Sequence, residues 1–216
     1  MPARGVATPA TARFPGFSKE RSERARLVST YFDTAKHKLK RHGLTLRVRK
    51  NGEKHIQTVK SEIGASFGRG EWEAEINGNA PDLGKADGTP LKQFGAKKLR
   101  RKLRPVFATS VHRISLPVRT KQSEIELAID HGSIIAGHRS SSIEELELEL
   151  KSGRLVDLFR VAKALERKSE AELDLRSKSD RGYDLASGKQ HQVAFASPIE
   201  LKADMAAGAV DVRFQG

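Results

Sequence analysis

The sequence of 216 residues contains no cysteine. Disulfide bonds and thiolate metal sites are therefore excluded, and any metal ion must be held by oxygen or imidazole ligands. Long apolar runs are also lacking, since no window approaches the roughly 18 apolar residues that span a bilayer. No positively charged start followed by an apolar stretch marks a secretory signal. We therefore expect a cytoplasmic protein with no membrane partner.

Acidic residues are few relative to basic ones. Lys and Arg number 40 against 27 Asp and Glu, which gives a net charge of +13 and a pI of about 10.1. This balance indicates an anionic partner. Aromatic residues make up only 6% of the chain, and few lie among the basic strands described below. Their scarcity argues against nucleic acid, because single strands are bound by stacking on aromatic side chains.

The sequence pattern divides the chain into three parts. Residues 1–26 show no usable period and no acidic residue before Glu20, so we expect a disordered or atypical segment, with a transit-like arm as the alternative. Residues 188–216 are rich in Ala and weakly patterned, which favours a tail or a linker. Residues 27–187 carry the periodic pattern and have the length of one domain.

Alternation of apolar and polar residues predicts strands through most of the central part. The predicted strands are residues 27–34, 44–50, 55–61, 71–76, 105–118, 124–130 and 143–151. The Asn51-Gly52 dipeptide between two of them is a hairpin signal. Only residues 154–168 show clear helical spacing. We expect a mainly antiparallel β protein with few helices, closed or nearly closed into a barrel.

Four of these strands place a purely apolar face opposite a charged face. The charged faces carry Arg47 and Arg49; Glu71, Glu73 and Glu75; Glu124, Glu126 and Asp130; and Glu145, Glu147 and Glu149. A sheet with one solvated side is the alternative interpretation. However, like charges in a row repel unless opposite charge lies between them. If the rows faced the interior of a barrel, they would need a charged ligand.

That ligand can be inferred from the charges. Carboxylate clusters without cysteine bind hard cations such as Mg²⁺ or Mn²⁺. Paired arginines match phosphate oxygens through their fork geometry. The sequence has no Gly-x-x-x-x-Gly-Lys-Ser/Thr loop, so the phosphates would not be held by a P-loop. A metal–polyphosphate complex in a β-lined cavity is therefore predicted.

A series of short motifs occurs in a definite order along residues 27–185. These are Tyr31-Phe32-Asp33-Thr34, Leu46-Arg47-Val48-Arg49, Thr58-Val59-Lys60, Arg69-Gly70-Glu71-Trp72-Glu73, Pro105-Val106-Phe107 with Thr109 and Arg113, Ile125-Glu126-Leu127, Asp130-His131-Gly132, Glu145-Leu146-Glu147-Leu148-Glu149-Leu150 with Ser152-Gly153, and Ser177-Lys178 with Arg181-Gly182-Tyr183. Each motif is weak alone. Together and in this order they resemble the CYTH family, or triphosphate tunnel metalloenzymes, and most closely its bacterial inorganic triphosphatase branch.

The resemblance implies an eight-stranded antiparallel tunnel with few outer helices. It implies metal-dependent hydrolysis of inorganic triphosphate to pyrophosphate and phosphate, with Mg²⁺ or Mn²⁺ as cofactor. By motif match, the phosphates would be bound by Arg47, Arg49, Lys60, Arg113, Lys178 and Arg181, of which Lys60 and Arg113 would act in catalysis. The metal would be held by Glu71, Asp130, Glu145, Glu147 and Glu149, with Glu73 nearby. One metal would neutralise phosphate oxygens, and a second metal or a carboxylate would orient water.

One family feature is not found. The family's chains open with a Glu-x-Glu-x-Lys strand, but here Glu20 and Glu23 are three residues apart and cannot share a strand face. We therefore expect the barrel to be open along one wall, with weaker metal binding and low or absent turnover.

Other functions fit parts of the sequence. The basic run at residues 96–104 would suit a module that binds RNA or polyphosphate. A non-catalytic polyphosphate or nucleotide sensor would need the same charged rows. The family resembled also contains thiamine triphosphatases and adenylate cyclases. We expect a monomer or a homodimer, and we expect Trp72 to pack against the predicted helix.

Overall fold

The structure is a computed structural model that describes residues 22–61, 70–167 and 176–189, together with the backbone of residues 172–173 and 211–215. Within these residues the strands are β1 (Glu23–Asp33), β2 (Leu44–Asn51), β3 (Lys54–Ser61), β4 (Gly70–Ile76), β5 (Arg104–Arg119), β6 (Glu124–Ala136), β7 (Arg139–Ser152), β8 (Glu172–Leu173) and β9 (Asp211–Gln215). The α-helices are α1 (Lys38–Arg41), α2 (Ala96–Arg100), α3 (Leu155–Glu166) and α4 (Lys178–Ser187). Two 3₁₀ helices, Leu83–Ala86 and Pro90–Phe94, precede α2.

All nine strands belong to one sheet, in the order β4-β3-β2-β1-β5-β6-β7-β9-β8, and every pair is antiparallel. The predicted class, mainly antiparallel β with few helices, is confirmed. The sheet is not closed into a barrel, since no ladder joins β4 to β8 among the described strands, and this agrees with the expectation of an open wall. It has nine strands rather than the eight that the resemblance implies. After β4 the chain turns away into 3₁₀ helices, and β8 is only two residues long, so neither edge offers a long partner.

Two apolar cores cover the outer face of the sheet. One packs Leu46 and Val59 beneath the 3₁₀ helices and α2, with Phe94 and Leu99 as covering side chains. The other packs the Leu146–Leu148–Leu150 row against α3. The predicted hairpin is present, with Asn51 paired to Lys54 and Gly52 in the left-handed region at φ 58°.

Trp72 belongs to the first outer core and not to the core beneath α3. Its predicted packing on the helix is therefore wrong. The reason is strand order: β4, which carries Trp72, forms the edge of the sheet remote from β7, on which α3 packs.

A third core lies on the inner face, beneath α4. Tyr31, Phe107 and Tyr183 form its aromatic centre, with Tyr31 and Phe107 stacked at 4.3 Å between ring centroids. Helix α4 was not predicted, because its sequence is polar and contains Gly182. It is nevertheless capped: Ser177 accepts a hydrogen bond from the Asp180 amide, and the Asp180 carboxylate accepts one from the Ser177 amide.

Strands extend into both of the regions that the sequence assigns to terminal segments. Residues 23–26, expected to be part of an atypical N-terminal segment, form the start of β1 and pair with β5. Within residues 188–216, expected to be a tail or linker, Asp211–Gln215 pairs with β7 opposite Glu145–Glu149. Residues 1–21 lie outside the described part of the chain. None of the helices in the described ranges is long and apolar enough to cross a membrane.

Candidate functional site

The charged strand faces meet in one cavity of about 470 Å³ on the inner face of the sheet. It receives side chains from β1 to β7 and from the start of α4, so the open sheet curls around it. The charged residues that line it are Arg47, Arg49, Lys60, Arg113, Lys151 and Lys178, with Glu71, Glu73, Glu126, Glu147 and Glu149. The basic row and part of the acidic rows therefore share one interior, as the sequence predicts for a charged ligand, whereas Glu75 and Glu124 are exposed outside it.

Three carboxylates form a cluster at one wall. Asp130 on β6 lies directly opposite Glu145 on β7, and Glu147 follows two residues later on the same strand face. One carboxylate oxygen from each lies within 4.8 Å of the others. The side chains of Asp130 and Glu145 are fully buried, and that of Glu147 is 16% exposed. Three negative charges this close require cations between them.

Lys178, the first residue of α4, supplies one of these cations. Its Nζ lies 2.8 Å from Asp130 Oδ2, 2.8 Å from Glu145 Oε2 and 3.0 Å from Glu147 Oε1. Burial alone would lower the pKa of Lys178, but the charges of Glu147, Asp130 and Glu145 raise it above its usual value. Lys178 is therefore a charged ammonium in contact with all three carboxylates.

Arg113 on β5 supplies the second cation. Its Nε and Nη2 donate to the two oxygens of Asp130 at 2.7 and 2.6 Å, and Nη2 also donates to Glu147. Burial would lower the pKa of Arg113, yet these two carboxylates raise it. The guanidinium is held in one orientation at the cavity wall by this bidentate pair.

The cations at the opposite wall of the cavity make fewer contacts with carboxylates. Arg47 donates to Thr58 Oγ1 at 3.1 Å and lies 3.7 Å from a Glu73 oxygen, while Lys60 lies 3.0 Å from Glu71. Arg49 donates to Ser29 Oγ at 3.2 Å, and no carboxylate of the described residues lies within ion-pair distance of it. Burial, and after it the charge of Arg47, lowers the pKa of Arg49 to about 10. A bound anion would relieve both effects.

The predicted metal ligands divide between the walls. Asp130, Glu145 and Glu147 come together, whereas Glu71 lies with Lys60 on β4 and Glu149 pairs with Lys151 at 2.8 Å. Glu71 is separated from the cluster because β4 and β7 are distant in the sheet order, and Glu149 because it is two residues farther along β7 than Glu147.

One predicted phosphate-binding residue and the predicted basic run lie away from the cavity. Arg181 donates to the Ser142 carbonyl at 2.6 Å and is buried behind the cluster, 3.8 Å from Glu145, so it does not line the cavity. The basic run at residues 96–104 lies at the outer face, where Leu99 anchors α2 in the outer core and Lys97 and Lys98 are exposed.

Sequence reasoning missed several lining residues. Thr45 and Lys151 line the cavity, and each follows the period-two alternation of a predicted charged face, so the signal was present. Glu126, which that alternation did place on a charged face, lines the cavity as well. Ser179 on α4 bonds Thr45 at 3.1 Å between hydroxyl oxygens. The position of Ser179 depends on where α4 packs on the sheet, which no local sequence pattern predicts.

The donor set fits a hard divalent cation. Its three carboxylates offer oxygen ligands of the kind that Mg²⁺ and Mn²⁺ prefer, at a spacing that one ion can bridge. The same oxygens are the partners of Lys178, so the ammonium occupies the position between them.

Comparison with known proteins gives consistent results. The CYTH domain matches residues 9–183. An inorganic triphosphatase of Haemophilus influenzae is 32% identical over 166 residues, which cover 74% of this chain and 46% of that protein. The chain thus spans about half the length of this curated relative.

Solved structures share the fold. A candidate adenylate cyclase of Bacillus halodurans matches with a TM-score of 0.50 at 16% identity, over 73% of this chain and 82% of that one. A candidate adenylyl cyclase of Hippeastrum, which has a dominant triphosphatase activity, matches with a TM-score of 0.51 at 16% identity, over 78% and 85% of the two chains.

Proposed function

The chain belongs to the CYTH domain family, and from this premise we propose that it hydrolyses inorganic triphosphate to pyrophosphate and phosphate with a divalent cation. The observation that carries the proposal is the cavity itself, in which arginine and lysine side chains face Glu147, the member of the carboxylate cluster that lines it. Asp130 and Glu145 are fully buried next to Glu147 and do not line the cavity. A metal–polyphosphate complex has the charges that match both walls.

The phosphate chain would bind along the basic wall. Arg47 and Arg49 lie two residues apart on β2 and so share a strand face, and Lys60 lies on the adjacent β3. Arg49 is the strongest candidate for a phosphate-binding residue, because it is a partly buried cation without a carboxylate partner among the described residues. Phosphate oxygens would replace the water that burial has removed from its guanidinium.

The metal would be held by Asp130, Glu145 and Glu147. A divalent cation bound there would neutralise phosphate oxygens and make a coordinated water a better nucleophile. Arg113, fixed by Asp130, faces the cavity and would stabilise the negative charge that develops on the transferred phosphoryl group. Lys60 would hold the phosphate chain from the opposite wall. Glu71 and Glu149, bound to lysines, would orient those lysines rather than bind metal.

The test is phosphate release from tripolyphosphate by the purified chain, with Mg²⁺, with Mn²⁺ and with a chelator. We expect turnover that depends on the divalent cation and is lost in Lys60→Gln. Lys54→Gln is the matched control, because Lys54 also lies on β3 and also pairs with a β4 glutamate, but is exposed outside the cavity. Thiamine triphosphate and ATP belong in the same panel, since preferred hydrolysis of thiamine triphosphate, or preferred hydrolysis or cyclisation of ATP, would redirect the assignment. Absence of turnover with every metal would contradict the proposal.

A second function is favoured by one observation. Lys178 and Arg113 already pair the three carboxylates, so the cavity could bind a polyphosphate without metal and without hydrolysis. Triphosphate binding measured calorimetrically in the presence of a chelator distinguishes the two. Tight triphosphate binding in the presence of the chelator, combined with no turnover in the presence of the divalent cation, would identify a sensor.

A further inference from the structure

Lys178 holds the carboxylate cluster with all of its hydrogen-bonding capacity. An ammonium group has three donors, and its three contacts at 2.8, 2.8 and 3.0 Å go to three different carboxylates. The same three carboxylates are the ones grouped as a possible ion site. A lysine ammonium therefore lies where the proposed function requires a divalent cation.

The charges around the cluster are already balanced. Its three carboxylates are faced by at least three cations: Lys178, the Arg113 fork and Arg181, whose Nη1 lies 3.8 Å from Glu145. A divalent ion that joined them would find no uncompensated negative charge and would be repelled at short range. Metal entry therefore requires one of these cations to leave.

Lys178 is the cation best able to leave. Arg113 is bound to both oxygens of Asp130, and Arg181 is anchored behind the cluster by the Ser142 carbonyl. Lys178, in contrast, contacts the cluster through a single point charge on a flexible stem. It also lines the cavity, so its ammonium can turn toward the ligand without crossing protein.

We propose that Lys178 is an internal cation that competes with the divalent metal and is displaced into the cavity when the metal binds. There the ammonium contacts a substrate phosphate, so that metal loading and phosphate binding favour each other. This inference rests on the proposed metal site at Asp130, Glu145 and Glu147. It predicts that the lysine lowers the metal affinity of the ligand-free protein.

The first test is direct Mn²⁺ binding, by calorimetry or electron paramagnetic resonance, without substrate. We expect Lys178→Gln to bind Mn²⁺ at least about tenfold more tightly than the unchanged chain, because the competing charge is removed. Lys54→Gln is the matched control, since Lys54 also pairs with a carboxylate, that of Glu75, but lies exposed outside the cavity. Its Mn²⁺ affinity is expected to stay unchanged. Equal or weaker binding by Lys178→Gln would overturn the inference.

A second test uses the unchanged chain and stands even if Lys178→Gln does not fold. The Lys178 side chain is only 12% exposed in the cluster. We expect Mg²⁺ to increase the rate at which an amine-reactive reagent labels Lys178, measured by mass spectrometry, while Lys54 labelling stays constant. A Lys178 labelling rate that Mg²⁺ leaves constant or reduces would contradict displacement.

The two proposals fail differently. Hydrolysis of tripolyphosphate without tighter Mn²⁺ binding by Lys178→Gln would preserve the function and refute the competition. Tighter Mn²⁺ binding without hydrolysis would support the competition and refute the enzyme.

Discussion

Arg49 and Arg113 show how two arginines in one cavity differ through their neighbours. Arg113 is bound to Asp130 and Glu147, whose charges raise its pKa against the effect of burial. Arg49 is partly buried beside Arg47, with no carboxylate of the described residues at ion-pair distance, and its pKa falls to about 10. In the first arrangement, loss of the arginine would leave buried carboxylates with fewer partners, whereas the second has an energetic cost that a bound anion would offset.

Replacing Arg49 separates binding from stability. We expect Arg49→Gln to weaken triphosphate binding by about 1.5–3 kcal/mol, the contribution of a hydrogen bond to a charged group. The unfolding temperature should stay level or rise, because a desolvated cation is removed. Calorimetry and thermal unfolding measure the two quantities.

Arg113→Gln provides the contrast. It leaves Asp130 with fewer partners, so we expect it to lower the free energy of unfolding by about 3 kcal/mol. Equal loss of stability in both variants would show that Arg49 is a structural residue.

At the scale of elements, α4 determines where Lys178 lies. Asp33 accepts hydrogen bonds from the amides of Leu39 and Lys40 and from the Tyr183 hydroxyl at 2.9 Å, which joins α4 to the β1–α1 turn. Lys40 also pairs with Asp180. Helix α4 is thereby held in place by several contacts. A change where α4 packs is therefore expected to move Lys178 relative to the carboxylate cluster.

Gly182 is the closest point of that packing. A Cβ there would lie 2.1 Å from Phe107 Cε2, within the inner core. We expect Gly182→Ala to shift α4, to cost about 1–3 kcal/mol of stability and to weaken triphosphate binding. Ser187→Ala, at the exposed end of the same helix, is the control. Unchanged binding by a destabilised Gly182→Ala would indicate that Lys178 does not depend on the packing of α4.

Low pH is expected to remove the stabilisation that Asp180 gives to α4. Burial would raise the pKa of Asp180, but hydrogen bonds from Lys40 and Ser177 lower it below its ordinary value. The stabilisation is therefore complete above the unfolded value of about 3.9 and is lost as pH falls through the lower folded value. We expect the stability difference between the unchanged chain and Asp180→Asn to be constant from pH 7 to about 5 and to shrink below about 4. Denaturant unfolding across this pH range measures the stability difference. A difference that grew toward low pH would contradict a lowered pKa for Asp180.

At the scale of the whole molecule, the net charge of +13 acts on any anionic substrate before it binds. Raising the ionic strength from about 0.1 to about 1 M shortens the Debye length from about 10 to about 3 Å. We expect kcat/KM for triphosphate to fall markedly over this range at constant free Mg²⁺, while kcat changes little, because encounter is steered by charge. Steady-state kinetics measure both. A kcat/KM that does not depend on salt would show that the surface charge has no part in capture.

The alternation of residues along the chain was enough to predict the strands and the side chains on each of their faces. A pleated strand alternates its side chains by local geometry, so the carboxylates at Glu145 and Glu147 and the arginines at Arg47 and Arg49 could be assigned to common faces without knowledge of the fold. Their segregation by sign was sufficient to predict a charged ligand, and the cavity shows the rows together.

Which charged side chains come into contact depends on tertiary structure and could not be predicted from the alternation. Strand order brings Asp130 opposite Glu145 and keeps Glu71 on a distant strand, and the packing of α4 brings Lys178 between carboxylates more than thirty positions away from it in sequence. These contacts are long-range, and their geometry follows from how sheet and helix pack rather than from any local period. The physical reason is that a local pattern specifies a face, whereas an ion pair needs two faces brought within a few ångströms.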